Sequence, residues 1–478
     1  MVRKSLPLGQ AIWYYETITF LLAQLNIKEL VMRKKTLFRG SIAVSTAAIL
    51  AAGVLGTPAR AADPVTITIW TFGDVIQRQL VQEYKNLHPE ISLQIKKSDL
   101  DPLNGTNMVT ACTSKTGPDI VAVEVQYSGY WRSYPKCFTD LRKMKTSETN
   151  VVAGIPAGKT ALDFKKNYLP WRWEQGVGYD DSVIGFPTDV GGLEVAYRVD
   201  LFKKAGLPTE RGKVGKLWPT WDKFIATGVK YNSKLSAADK KAGKGFLDNA
   251  GTMYAAIMNQ GTEKYYKNDG TDAGKLIYDT NPQVKKAWDT TIKATEAGIG
   301  TRIGQYTSDW NIGMNKGTFA TILAPAWMMD YIKQQAPDTS GKWDIASLPG
   351  GGGNQGGTQL TVPSYAQHPQ EAYDFITWYL APEQQLKVFK TYGLFPAASV
   401  LYDDPALLDY KDPFFNNAPV GKIYAAGVSK VKPIFEGKLQ RAIDQAIGAG
   451  LGRVAAKKMT AAKSWAQVIV DIKKVINN

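Results

Sequence analysis

The run from Leu193 to Arg198 constrains this chain most. Leu193, Val195 and Tyr197 alternate with Glu194, Ala196 and Arg198. A period of two belongs to a strand. The run is entered through Gly185-Phe186-Pro187, one acid at Asp189, and the bare backbone of Gly191-Gly192. It is left through an amphipathic segment, Leu201 to Leu207, that stops at Pro208. A carboxylate on a turn, flanked by two glycines, therefore feeds a strand and then a helix.

The same alternation recurs upstream. Val65 to Trp70 reads as a strand, and an amphipathic helix carrying Ile76, Leu80 and Tyr84 comes next and ends at His88-Pro89. Ile91 to Ile95 reads as a second strand and Ile120 to Val123 as a third, with a helix-like stretch around Met108–Thr113 between them. Strand–helix alternation predicts an α/β fold with a parallel sheet and crossover helices. Open sheets of this kind receive ligands beyond the carboxyl ends of their strands. Phe72, Asp74, Glu124, Gln126 and Tyr127 are expected at such ends. Downstream, residues 213–300 read mostly as helix, and Thr220 is placed to cap one that opens at Trp221. Strands are expected at Thr318–Leu323 and Trp343–Leu348, and helices at Glu371–Tyr379 and Glu383–Thr391.

The first 61 residues are set apart from the fold. Arg33, Lys34, Lys35 and Arg39 precede an apolar, small-residue stretch, Ser41–Leu55, and Ala59-Arg60-Ala61 fits a cleavage signal. A spanning helix needs about 20 apolar residues, so a cleaved secretory signal is expected, behind an upstream extension of residues 1–31. No cysteine stands near Ala61 to take a lipid anchor. Of the net charge of +15, this leader carries +6, from eight Lys/Arg against two Asp/Glu. The remaining basic residues are scattered in pairs such as Lys96-Lys97 and Lys240-Lys241. That pattern describes solvated faces and not a nucleic-acid stripe. In an exported chain the two cysteines, Cys112 and Cys137, are expected to form a disulfide. Two His and two Cys this far apart offer no metal-ligand spacing, and no metal or cofactor is expected.

Catalytic signatures are weak. Ala153 to Thr160 nearly matches a phosphate-cradling loop but puts Ala153 where its first glycine belongs. Carboxylate pairs for hydrolysis can be drawn (Asp119 with Glu124, Asp180 with Asp181, Asp189 with Glu194) without any signature. There is no nucleophile elbow, and His368 lies before a proline in a turn. A binding constellation is better supplied. Aromatic faces cover the apolar side of a sugar ring, and carboxylates, amides and bare backbone meet its hydroxyls. Phe72, Tyr127, Trp310, Trp327 and Phe395 stand at turns beside strands. Glu124 and Asp189 are acids in similar positions, with Asp74 after the first strand, and Gly191, Gly192, Gly356 and Gly357 leave room for close approach.

Several pieces together resemble one family, the extracellular solute-binding proteins of sugar ABC transporters. Ile67-Thr68-Ile69-Trp70 resembles its first strand, and Gly117-Pro118-Asp119-Ile120-Val121 its Gly-Pro-Asp before a cleft loop. Pro187 to Gly192 with Tyr197-Arg198-Val199-Asp200 is similar to its crossing segment, where Tyr-Asn-x-Asp is commoner. Lys316 to Trp327 resembles a segment whose tryptophan stacks on sugar, with Ala324-Pro325-Ala326 in place of a glycine. Gly356 to Pro363 and Glu371 to Ile376 resemble its late strand–helix unit. The resemblance spans residues 62–478. It implies a two-lobed periplasmic-binding-protein fold, with an N-terminal lobe of 62–193 and 344–390 and a C-terminal lobe of 194–343 and 391–478. It implies a sugar or oligosaccharide held by lobe closure and passed to the membrane permease of an importer, by a monomeric, non-enzymatic protein outside the cell. A secreted carbohydrate-active enzyme, or a binder of polyamine or glycerol phosphate, is the alternative.

Overall fold

A computed structural model describes residues 64–271 and 274–477. The expected extension and signal, 1–61, lie outside the described residues. The first sheet contains β1 (Val65–Thr71), β2 (Ile91–Lys97), β3 (Ile120–Glu124), β4 (Gly185–Pro187) and β11 (Thr358–Thr361), in the order β2-β1-β3-β11-β4. The second contains β5 (Leu193–Arg198), β6 (Gly245–Leu247), β9 (Phe319–Pro325) and β10 (Trp343–Ala346), in the order β10-β5-β9-β6. A small ribbon pairs β7 (Tyr266–Lys267) with β8 (Lys275–Leu276).

The parallel sheet expected from the early strands is only partly realised. β1 pairs in parallel with β2 and β3. β11, however, runs antiparallel to both β3 and β4. The cause is the route of the chain. It leaves the first sheet after β4, builds the second, and returns between Ser347 and Gly357, so β11 enters from the opposite end. The boundaries drawn at 193/194 and 343/344 fall inside β5 and β10 and are corrected accordingly. Leu193 pairs with Pro325, and Ala346 with Val195, so both residues belong wholly to the second sheet. The crossing segments are Thr188–Gly192 and Ser347–Gly357. A third passage, Gly393–Pro396, lies beside the first, where Val190 N donates to the Phe395 carbonyl at 2.8 Å.

The period of two in β5 is real, but neither face is wet: all six residues are buried. Leu193, Val195 and Tyr197 enter one core with Phe202, Trp218 and Phe246, while Ala196 enters another with Ile322 and Ile345. The polar members are satisfied locally, as buried polar groups must be. Arg198 grips Asp200 at 2.7 and 2.8 Å and donates to the Met314 carbonyl. Glu194 accepts from Leu348 N at 2.8 Å.

Local chemistry sets the helix ends. Thr220 caps Trp221–Ser233 by accepting from Lys223 N, and Pro369 and Pro382 sit at the first helical positions. The near-match to a phosphate loop folds instead as a turn, from Ala153 at the end of a short 3-10 helix, Glu148–Ala153, into a Thr160/Asp163 capping box. It is not preceded by a strand. Among the described residues no helix is long and apolar enough to cross a membrane.

Cys112 and Cys137 are joined, with Cα atoms 5.5 Å apart. The bridge ties the helix Met108–Ser114 to the segment after Val125–Arg132. Closing a loop of 25 residues stabilises by about 3 kcal/mol. The Cys112→Ser, Cys137→Ser double variant is therefore expected to unfold at a lower denaturant midpoint, with a slope equal to or steeper than the parent's because the unfolded chain is less constrained. Equal midpoints would dismiss the bridge as a stabilising element.

Candidate functional site

A cavity of about 210 Å³ opens where the two sheets and the returning chain meet. Val125 and Gln126 reach it from the end of β3. Tyr254 and Met258 reach it from the helix Thr252–Met258, and Asn259 and Lys264 from the loop after that helix. Asn354, Gln355 and Gly356 reach it from the crossing segment. Glu436, Arg441 and Asp444 reach it from the C-terminal part of the chain. The lining is rich in carboxylates, amides and cations, and Tyr254 is its aromatic member.

The polar groups are tightly placed. Glu124 ends β3 and caps the helix Val125–Arg132, its Oε2 accepting from Gln126 N at 2.6 Å. Burial, with the Glu436 carboxylate nearby, pushes the Glu124 carboxyl up to about 8. Its Oε1 faces Gly356: a Cβ there would stand 3.7 Å from it and 3.2 Å from the Trp327 indole nitrogen. The Arg441 guanidinium lies across the mouth. It grips both oxygens of Asp101 at 2.8 and 2.9 Å and donates to Gln126 Oε1. Asp444 accepts from the Tyr265 hydroxyl at 2.6 Å, and burial raises its pKa. Asn354 is 8% exposed, donates to the Gly356 carbonyl, and has no hydrogen-bond partner on its Oδ1. A buried acceptor without a partner costs free energy until something donates to it.

Of the residues singled out in the sequence, Gly356 lines this cavity, and Glu124 and Trp327 stand directly behind it. Trp327 is half-buried and donates through its indole nitrogen to the Gln355 carbonyl at 3.1 Å. Its visible work is to hold the crossing segment. Tyr127 donates to Asp101 at 2.8 Å with the Arg441 guanidinium 5.9 Å from its ring centre, so it braces the mouth from outside. Phe72 packs on the first core, and Asp74 is exposed in a 2.5 Å ion pair with Lys97. Both lie away from the cavity.

Four placements correct the sequence reading. Trp310 is not at a turn beside a cleft. It stands in the helix Ser308–Lys316, fully buried, stacks on Phe319 and donates to Asp248 at 3.0 Å. Phe395 is fully buried against Phe389 and Tyr424. Asp189 points into the protein, where it accepts from Thr188 Oγ1 and from Thr358 N at 3.0 Å. It latches β4 to β11. Gly191, Gly192 and Gly357 do provide close approach, but to protein. An added Cβ would meet Gln355 O at 1.7 Å, Val428 at 2.5 Å and Arg172 at 2.9 Å respectively.

The residues missed are Tyr254, Asn259, Lys264, Asn354, Gln355, Glu436, Arg441 and Asp444. Asn354-Gln355 had a signal, since two amides inside a glycine run are polar groups on exposed backbone. The others come together only through packing of segments distant along the chain.

Glu194 behaves as a buried acid outside the cavity. Burial pushes it from 4.5 up to about 8, opposed by Leu348 N and Lys430. A raised acid pKa means the folded state keeps a proton that the unfolded state releases, so stability falls as pH rises from 4.5 to 8. At 1.36 kcal/mol per unit the loss is at most about 5 kcal/mol. Glu194→Gln is expected to match the parent Tm near pH 4.5 and exceed it by several degrees at pH 8. A gap that does not grow with pH would refute this assignment.

A profile of the bacterial extracellular solute-binding protein family matches residues 79–415. The arabinooligosaccharide-binding protein of Bacillus subtilis (strain 168) is 23% identical over 392 residues, covering 77% of this chain and 82% of that protein. A crystal structure of an extracellular solute-binding protein of family 1 superposes with a TM-score of 0.72 at 32% identity, covering 86% of this chain and all of that one. The galacto-N-biose-/lacto-N-biose I-binding protein of the ABC transporter from Bifidobacterium longum, in complex with lacto-N-biose, shares the fold with a TM-score of 0.68 at 19% identity, covering 87% and 98%. A two-lobed α/β body, sheets joined by crossing segments and a polar cavity between them therefore agree with the sequence match: this chain belongs to the bacterial extracellular solute-binding proteins.

Proposed function

We propose that the chain captures a carbohydrate between two lobes and delivers it to an ABC-type importer. One lobe is formed around the first sheet (64–187 and 358–392), the other around the second (193–346 and 393–477). The observation that carries this reading is the cavity, which draws hydroxyl-binding groups from both sheets and from the segment that joins them. Carboxylates and amides accept and donate to vicinal hydroxyls, and a ligand touching both lobes favours their closure. The relatives that carry sugars in their names support the substrate class. The protein works outside the cytoplasm after export, as a monomer, with a membrane permease as its partner and no turnover of its ligand.

The test is a thermal shift of residues 62–478 against arabinooligosaccharides, β-1,6-galactobiose, lacto-N-biose, maltose, polyols and polyamines. Saturation at 100 times Kd should stabilise by about 2.7 kcal/mol. A shift with one saccharide class, with the saccharide recovered intact, is the expected result. A shift with polyamines alone, or conversion of the sugar, would replace the reading.

A further inference from the structure

Residues 431–439 form a strap between the helices Val420–Val428 and Gln440–Ala455. The strap has no regular secondary structure, yet Glu436 and Gly437 at its centre are buried. It is seated by three glycines. A Cβ on Gly129, in the helix after β3, would lie 2.3 Å from the Gly437 carbonyl oxygen. A Cβ on Gly437 would lie 2.5 Å from the Tyr266 ring, and one on Gly274 would lie 2.4 Å from the Phe435 ring. The strap thus lies in notches cut on both sides of the cavity. Gly129 is on the side of the first sheet, and Gly274 and Tyr266 on the side of the second. Tyr179 stacks on Phe435 and donates to the Glu436 carbonyl at 3.1 Å from the first side, and Leu439 N donates to the Tyr266 hydroxyl at 3.1 Å on the second.

One side chain of the strap faces the cavity. Glu436 is 5% exposed, and its carboxylate is divided between the two sides. Oε2 accepts from Ser128 Oγ at 3.0 Å and from Gln175 Nε2 at 3.5 Å, whereas Oε1 meets Lys264 Nζ at 3.5 Å. Two of the three contacts are at the outer limit of a hydrogen bond. A carboxylate has about four acceptor sites, so this one retains capacity toward the cavity that it lines.

We propose that the strap is a clasp that completes the ligand site, and that Glu436 is its ligand-contacting residue, accepting from hydroxyls of the bound sugar while holding Ser128 on one lobe and Lys264 on the other. The ligand contact rests on the carbohydrate reading above; the clasp does not. Glu436 is then both a specificity residue and the point where occupancy is coupled to closure.

Two experiments test this on the full chain. The first needs no ligand. Trypsin can cut the strap after the exposed Lys438, and Gly129→Val leaves no room for the seated Gly437 carbonyl. Cleavage at Lys438–Leu439 is expected to be at least ten-fold faster in Gly129→Val than in the parent, with the far-ultraviolet circular dichroism unchanged. Equal rates overturn the clasp. The second uses whichever of arabinotriose, β-1,6-galactobiose or lacto-N-biose binds the parent in calorimetry. Glu436→Gln is expected to lower affinity ten-fold or more, beyond what any fall in ligand-free Tm accounts for. Unchanged affinity overturns the contact, and a fall in ligand-free Tm that accounts for the loss reduces Glu436 to a structural role. If no saccharide of the thermal-shift panel binds the parent, the carbohydrate reading fails and the ligand contact falls with it, while the trypsin result still decides the clasp.

Discussion

Replacing Gly191 by alanine is expected to pull the two main crossing segments apart. The new Cβ would stand 1.7 Å from the Gln355 carbonyl oxygen and 2.5 Å from its carbon. That atom is backbone, so no rotamer change relieves the clash. The segments are also stitched together here. Gln355 N donates to Gly191 O at 2.7 Å and Leu193 N to Gly353 O at 3.0 Å, and Ala326 N, beyond β9, donates to Gly192 O at 3.1 Å. Overpacking costs 1–3 kcal/mol where side chains can shift, and loss of these bonds adds to it. A destabilisation of roughly 3 kcal/mol or more is expected, with a lower denaturant midpoint and loss of ligand binding, because Asn354 and Gln355 on the displaced segment line the cavity. A parent-like midpoint would show that Gly191 is merely tolerated there.

Arg172→Met should cost as much for a different reason. Arg172 is fully buried. Its Nε donates to the Asp189 carbonyl at 2.9 Å, Nη2 to the Thr358 carbonyl at 2.7 Å and Nη1 to Gln175 Oε1 at 2.6 Å. It therefore joins the first crossing segment to the start of β11. Its charge also opposes the desolvation of Asp189 and Glu124, both of which are pushed upward by burial. Methionine fills much of the space but takes the guanidinium donors from the Asp189 carbonyl and the Gln175 amide oxygen, while the Thr358 carbonyl keeps its bond from Thr188 N at 2.9 Å. Removing one partner from a buried charged cluster costs about 3–5 kcal/mol. Chemical denaturation at pH 7 should show a fall of about 4 kcal/mol. A loss below about 1 kcal/mol would mean that water replaces the guanidinium. Both variants act on the joint between the sheets and not on ligand chemistry, so each should lower stability in ligand-free protein.

The same joint explains why the sequence around Asp189 is ambiguous. An acid on a turn before a strand, next to glycines, has the composition of a ligand contact. Whether it faces a cleft or a buried arginine depends on where residue 172 is carried, and nothing within ten residues of Asp189 tells. Trp310 is ambiguous in a similar way. Thr307 caps its helix, accepting from Trp310 N, and the helix turns the indole onto Phe319 and Asp248. The sequence window around it resembles a turn because Asn311, Gly313 and Asn315 are weak helix formers.

The strand at Leu193–Arg198, the three parallel strands before it, the helix starts at Thr220, Pro369 and Pro382, and the cysteine pairing arise from local chemistry: a period of two, a capping hydroxyl, a fixed φ, two thiols with no third cysteine to compete. The order of the motifs along the chain was enough for the family. The reversal of β11 and the true crossing points at Thr188–Gly192 and Ser347–Gly357 were decided by tertiary structure, since sheet pairing is a contact between residues over a hundred positions apart. So was the cavity. Gln126, Lys264, Asn354, Glu436 and Arg441 share no period and no motif, and they meet because the two sheets, the segments between them and a strap seated on glycine notches bring them to one space.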